Sequence, residues 1–252
     1  MKAKKNIYII VLSFVFSVAY SQNGKIKRAN KEYDKLAYVK TSEILLEVAN
    51  NGYKTVDVLQ KLSNSFYFNN QFEDAEKWYG ELMAMDENQD AEYYFRYAQS
   101  LKSIGNYQEA DKLMKMFHQL KPDDLRGQAF LSEVDYKSTI EYVSRDNIEP
   151  VNLEFNTPLS DFGTTEYKNS IVFASARGGG KKYKWNEQPF LDLYSVEKIA
   201  DTSYGKVQAI KGDVNTKFHE SSVAFAPNGE FMYFTRNNYY NNKYKEDKGG
   251  TN

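Results

Sequence analysis

Two histidines and no cysteine bound the chemistry open to this chain. Without thiols there is no cysteine nucleophile, no thiolate metal ligand and no disulfide. His219 is followed directly by Glu220, Ser221 and Ser222, which by composition is the residue set of a serine hydrolase. The stretch reads as a β-strand, however. Consecutive strand side chains point to opposite faces, so these neighbours cannot converge as nucleophile, base and orienting acid. No Gly-x-Ser-x-Gly corner is present either. No further ligands stand at a metal-binding spacing from His219, and His118 falls on a helix, where its reading is structural. Gly178-Gly179-Gly180-Lys181-Lys182 invites comparison with a phosphate cradle. It lacks the Gly-x-x-x-x-Gly-Lys-Ser/Thr spacing and no helix follows it, so it reads as an inter-strand loop. The residues therefore predict no catalytic, metal or cofactor site.

A second arrangement is charged and repeated. Glu220 opens a stretch that Arg236 closes, with Val223, Phe225 and Phe231 to Phe234 as strand formers on either side of Pro227-Asn228-Gly229. Pro presets φ, and Asn and Gly tolerate a left-handed backbone, so the stretch predicts a β-hairpin. Asp161 to Arg177 has the same span and aligns with it without a gap at an offset of 59 residues, with Lys168-Asn169 at the turn. A ligand-binding role for the pairs Asp161/Arg177 and Glu220/Arg236 competes with a structural one. Repetition favours the structural role, hydrogen bonding that locks strands.

Upstream, from about Asn23 to Tyr142, the apolar period is helical and also repeats. Asn70-Gln71-Phe72-Glu73-Asp74-Ala75 matches Gly105-Asn106-Tyr107-Gln108-Glu109-Ala110, and Leu36 to Thr41 is a weaker copy. Thr41, Ala75 and Ala110 stand 34 and 35 residues apart, small residues where two helices cross. This is the tetratricopeptide (TPR) pattern, in which stacked helix pairs bury what no single pair can and leave a concave surface. The register puts Gln60, Asn64 and Tyr67 of one copy, and Phe95, Gln99 and Lys102 of the next, on that surface, either as partner contacts or as ordinary solvated residues. Phe95 stands out because an exposed aromatic there is otherwise a liability. Asp123 to Tyr142 predicts a capping element and Arg145 to Pro150 a linker.

In the second half, Val151 to Phe155 alternates as a strand. Phe190 to Val196 and Val207 to Ile210 predict a third and fourth strand of the first hairpin unit. The fold class is α + β multidomain: a TPR α-solenoid over 22–146, then the beginning of an antiparallel β-propeller over 151–252, with about one and a half blades. Propellers close with four to eight blades, so the expectation is a fragment of a longer protein.

Residues 1–21 read as a secretory signal peptide: Lys2, Lys4 and Lys5, then the apolar Ile7 to Val18, then Ala19-Tyr20-Ser21. Removing it takes the formal charge from −1 to −4. That balance argues against a nucleic-acid partner. The absence of cysteine rules out lipoprotein anchoring. The 21 Tyr and 16 Phe suit both strand and helix packing, where rings supply large buried area.

The Phe-x-Pro-Asn-Gly-x-x-Met-Tyr-Phe-Thr-Arg run resembles the WD40-like (PD40) propeller repeat. Together with Asp161-Phe162-Gly163, Ile171 to Arg177, Leu191 to Tyr194, Phe218-His219-Glu220 and Tyr233 to Asn238, it resembles the Bacteroidetes OmpA-family proteins that carry TPRs and a propeller and are associated with type IX secretion and gliding. The resemblance implies a non-enzymatic periplasmic scaffold at the outer membrane, paired with an outer-membrane β-barrel protein. Peptidoglycan binding would reside in C-terminal domains outside these residues. A TolB-like adaptor, which would lack the TPRs, and the propeller of a hydrolase whose catalytic part is absent are the alternatives.

Overall fold

The computed structural model describes residues 22–132, 138, 151–200, 203–237, 239–240 and 243–244. The signal peptide assigned to 1–21 and the linker Arg145 to Pro150 lie outside the described residues. The chain divides into two compact units, Met1–Asp146 with Lys184–Asn186, and Asn147–Tyr183 with Glu187–Asn252.

The first unit is helical and TPR-like. Helix α1 spans 22–33, followed by α2 (Tyr38–Asn50), α3 (Val56–Phe68), α4 (Phe72–Met85), α5 (Ala91–Ser103), α6 (Tyr107–Leu120) and α7 (Leu125–Ser132). The pairs α1/α2, α3/α4 and α5/α6 are three copies of one hairpin, and from α2 onward each helix packs on the next in the chain. The same turn closes each pair. Leu36, Asn70 and Gly105 adopt left-handed φ of 58°, 57° and 83°. Their N–H groups donate to Tyr33, Tyr67 and Lys102, and the next residues' N–H groups reach back to Glu32, Phe66 and Leu101. This is the Schellman closure, which satisfies carbonyls orphaned at a helix end.

Thr41, Ala75 and Ala110 are each fully buried. Thr41 alone carries a hydroxyl, and it donates to the Ala37 carbonyl at 2.9 Å, so its burial leaves no polar atom unmet. One core runs from Ala29 through Leu45, Leu59, Leu62 and Phe66 to Trp78, Tyr79 and Leu82. A second gathers Tyr94, Ala98, Leu101, Met114 and Phe117. Thr55 caps α3 by accepting from Val58 N–H.

The second unit is antiparallel β. Strands β1 (Asp161–Tyr167), β2 (Ser170–Ser175), β3 (Asp192–Ala200), β4 (Ser203–Tyr204) and β5 (Gln208–Ala209) form one sheet, ordered β1-β2-β3-β4 with β5 also on β3. Strands β6 (Glu220–Phe225) and β7 (Met232–Arg236) make a separate hairpin, as do β8 (Tyr239–Tyr240) and β9 (Lys243–Tyr244). Among the described residues no sheet closes on itself. Val172, Ala174 and Leu193 of the first sheet pack on Val223, Met232 and Phe234 of the β6–β7 hairpin, so the two layers lie face to face. Phe173, Tyr194 and Val196 bury the first sheet's other face with Phe155 and Tyr204.

Three expectations are corrected here. Val151 to Phe155 is not a strand. Asn156 N–H turns back to the Leu153 carbonyl and Asn156 Nδ2 bonds Asn152 Oδ1 at 2.7 Å, so side-chain and turn bonds outcompete a ladder. The third strand starts at Asp192, not Phe190, and runs on to Ala200. The two hairpins also do not superpose without a gap. Asp161 stands opposite Ser175, whereas Glu220 stands opposite Arg236. The β1–β2 turn takes Lys168 and Asn169 alone, but Ala226 N–H still pairs with the Phe231 carbonyl, so the second turn takes Pro227 to Glu230. Upstream of the turns the match is close: both first strands carry a bulge at the same place, with Gly163 and Ser222 at φ 66° and 48°.

Candidate functional site

The first helices of successive pairs, α1, α3, α5 and α7, share a face, and Asn64 on α3 is its centre. Asn64 is only 3% exposed. Its Nδ2 donates to Tyr33 Oη at 2.9 Å, and its Oδ1 accepts from Tyr79 Oη at 2.7 Å and from Arg96 Nη1 at 3.0 Å. One side chain thereby ties α1, α4 and α5 to α3. Arg96 lies over the Phe68 ring, 4.9 Å from its centroid. Its nearest acid, Glu92, is 3.9 Å away, so the guanidinium is hydrogen-bonded but weakly neutralised. Burial pushes the phenols of Tyr67, Tyr79, Tyr93 and Tyr97 above their ordinary range; Tyr79 is fully buried and donates its proton to Asn64, while Tyr67, Tyr93 and Tyr97 are partly exposed. The face therefore combines aromatic area, phenolic donors and an arginine.

A second ionic node lies at α7. Arg126 bonds both Glu92 and Asp124. The Arg126 side chain, and then its backbone N–H, hold the Asp124 carboxyl down to about 2, and Arg126 likewise lowers Glu92.

The six residues assigned to the partner surface do not form one line. Gln60 donates to Gln89 Oε1 at 2.7 Å. Asn64 is the buried node, and Tyr67 stands edge-on to Phe68, Phe72 and Tyr79. Phe95 is not the exposed aromatic that helical register suggests. It is half-buried, 5.2 Å from Phe117, and Arg126 covers it at 4.3 Å. Gln99 approaches Met114 Sδ at 3.8 Å, and Lys102 sits over Phe130 at 5.3 Å. Sequence reading missed Tyr33, Glu92, Arg96 and Arg126. A usable signal was there: Arg96 is one of six arginines in the chain and stands in the run Glu92-Tyr93-Tyr94-Phe95-Arg96-Tyr97.

In the β unit the acid–arginine pairs are real contacts and more extensive than the pairs alone. Arg177 Nη2 donates to Asp161 Oδ1 at 2.9 Å and to the Phe155 carbonyl. Arg236 Nε donates to Glu220 Oε1 at 2.9 Å, and its Nη2 to the carbonyls of Asp213 and Val214. Four residues before each acid a threonine donates twice, Thr157 to Asp161 and Thr216 to Glu220. Burial alone would raise Asp161, but hydrogen bonds from Ser175, Arg177 and Thr157 hold it below its ordinary value. Every charge is matched locally, which is the pattern of a latch.

Among the described residues no cluster of three or more His, Asp or Glu is placed to hold a metal ion, and no helix is long and apolar enough to cross a membrane. His219 is partly buried, its Nδ1 accepting from Leu191 N–H at 3.1 Å, and burial pushes its pKa down, so the imidazole is neutral.

No family model matches the chain, and no curated protein matches it. Similar solved structures include the Arabidopsis OM64 TPR domain, 15% identical with a TM-score of 0.38, covering 44% of this chain and 90% of that one. The UNC-45 chaperone, whose structure concerns binding and folding of muscle myosin, is 16% identical with a TM-score of 0.40 over 49% of this chain and 14% of that one. The first TPR of Spaghetti (RPAP3), bound to the HSP90 peptide SRMEEVD, is 13% identical with a TM-score of 0.38 over 50% of this chain and 94% of that one. Likenesses this distant say nothing about partners. The TPR-like character of the helical unit rests on its own three copies of one helix pair.

Proposed function

We propose that this chain is a non-enzymatic interaction scaffold of the periplasm, acting at the outer membrane and serving type IX secretion or gliding through an outer-membrane β-barrel partner. The scaffold reading rests chiefly on one observation, the Asn64–Arg96 cluster. It is a face of rings and phenols around an arginine whose nearest acid among the described residues, Glu92, is 3.9 Å away. Such a face offers aromatic contact area and directional donors to an extended segment of another protein. The fixed hydrogen bonds mean that little ordering is left to be done on binding. The periplasmic location is supported by the signal-like residues 1–21, and the link to secretion by the strand motifs that resemble the PD40-containing proteins.

The test is co-purification of the full chain from detergent-solubilised envelope, comparing wild type with Arg96→Lys and Arg96→Ala. The expected result is an outer-membrane barrel protein retained by wild type, reduced with Arg96→Lys and lost with Arg96→Ala, at unchanged helical circular dichroism. A folded wild-type chain that retains no barrel protein overturns the partner. A barrel held equally by all three variants overturns the face.

A further inference from the structure

Within the β unit, the glycine-rich Gly178–Lys182 loop forms one wall of a cleft of about 370 Å³. Gly179, Gly180 and Lys181 line it from the loop, Phe190 from just before β3 and Asp192 from its first position, and Lys217 and Phe218 from the approach to β6. That is the size of a site for a small organic molecule. Its lining is chemically divided. Two lysines, Lys181 and Lys217, border it, with Lys217 Nζ 5.7 Å from the Phe218 ring centroid, and the rings of Phe190 and Phe218 stand edge-to-face with centroids 6.1 Å apart. Gly179 and Gly180 adopt φ of 73° and 88°, with nothing within 4 Å of where a Cβ would be. Their backbone is thus bare on a side that a side chain would otherwise screen.

The loop is held in place. Its base is closed by the Lys182–Pro189 bridge and by Tyr183 N–H on the Gln188 carbonyl at 2.7 Å. At Gly178 a Cβ would lie 2.6 Å from Asp192 Oδ2 and 2.8 Å from Tyr194 Oη, so a larger residue there would have to push aside the ends of both side chains that the loop lies against. A simple connector requires neither constraint, and three consecutive glycines carry an entropic cost on ordering. Behind the cleft, neutral His219 lies 4.5 Å from the Phe190 ring and holds Leu191 N–H, which fixes the aromatic wall without adding charge.

We infer that this cleft binds a small organic anion carrying an apolar group, its head on Lys181, Lys217 and the Gly179–Gly180 backbone and its apolar part against Phe190 and Phe218. Asp192 is the one acid in the lining. Burial and the negative charge of Glu220 push its carboxyl above the ordinary range, and Tyr194 donates a hydrogen bond to it. A carboxylate and a phosphate head satisfy the same lining.

Calorimetric titration of the full chain tests this with phenylacetate and phenyl phosphate, against benzyl alcohol, which lacks the charge, and inorganic phosphate, which lacks the ring. The expected result is saturable binding of at least one aromatic anion with a Kd of about 1 mM or tighter. The double variant Lys181→Gln/Lys217→Gln should weaken it at least about tenfold with an unchanged melting temperature. Binding of phenylacetate alone identifies the head as a carboxylate, and of phenyl phosphate alone as a phosphate. The inference fails if neither anion binds, if the double variant binds as wild type does, or if a control ligand binds as tightly as the aromatic anions.

Discussion

Arg236 reaches Glu220 from directly across the hairpin, Nε to Oε1 at 2.9 Å, and Glu220 is fully buried. Arg177 reaches Asp161 from two residues beyond its strand, through Nη2. The first contact is a direct pair on a carboxylate that has no route to water and that Thr216 also serves. The second is a longer reach to a carboxylate also served by Ser175 and Thr157.

Loss of the two arginines should therefore differ. Arg236→Ala strands a buried carboxylate and is expected to destabilise the β unit by about 3–5 kcal/mol. Arg177→Ala leaves Asp161, whose side chain is 8% exposed, with Ser175 as well as Thr157, whereas Glu220 without Arg236 keeps Thr216 alone, so the Arg177 change should cost about 1–3 kcal/mol. Urea denaturation followed by near-ultraviolet circular dichroism measures both. Equal losses would show that the two pairs are energetically equivalent despite their geometry.

The repeated turn makes a prediction of opposite sign at matched positions. Leu36 holds the same left-handed backbone as Gly105, at φ 58° against 83°, and pays the Cβ penalty that glycine avoids. Its side chain is 48% exposed, so little packing is lost on removal. Leu36→Gly should stabilise the helical unit by up to about 1 kcal/mol after the unfolded-state entropy is counted. Gly105→Ala should destabilise it by about 1 kcal/mol. Chemical denaturation of both variants gives the two signs directly.

Gly127 on α7 faces His118 on α6 with no room to spare. A Cβ there would sit 3.1 Å from His118 Cβ and 3.3 Å from its Cα. In an exposed helix, glycine to alanine gains about 1 kcal/mol. Here Gly127→Ala should instead lose about 1–3 kcal/mol, because the obstacle includes backbone and α7 must shift. Faster amide exchange across 125–132 is the readout, with α3 and α4 unchanged.

Acid should loosen the same helix. Arg126 lowers Asp124 from 3.8 to about 2 and lowers Glu92 as well. A carboxyl depressed in the folded state stabilises above its ordinary range and loses that contribution as pH falls through its folded value. Exchange protection of α7 should hold from neutral pH down to about 4 and then decline towards about 2. Arg126→Gln should flatten that decline; a variant with the wild-type profile would remove Arg126 as its cause.

The helical period, the small residues at the crossings and the acid–arginine pairs were legible because each repeats. An offset is visible without knowing what it does. What escaped were features that a single register does not encode. Thr157 and Thr216, each after an asparagine, recur at the same offset as the acids they serve, but they lie upstream of the acids that open the two repeated stretches. Asn64 reads as a surface residue on a helical wheel, yet Tyr33 and Tyr79 arrive from other helices and bury it. Phe95 reads as exposed for the same reason, since Arg126 comes from α7. Val151 to Phe155 alternates as a strand does, but alternation does not supply a neighbour to pair with. The Gly178–Lys182 loop is silent in sequence because Lys217 and Phe218 are brought to it only by folding.

The second turn of the β unit holds two more residues than the first, and both arginines still find their acids. Two is the number that matters. A strand displaced by one residue turns every side chain to the opposite face, whereas displacement by two returns each face to its own side. The hairpin therefore tolerates length change by parity. Loops here can grow or shrink in even steps while the buried rings of one layer still meet the next, and an odd step would expose Met232 and Phe234 and bury Tyr233 and Thr235 in their place.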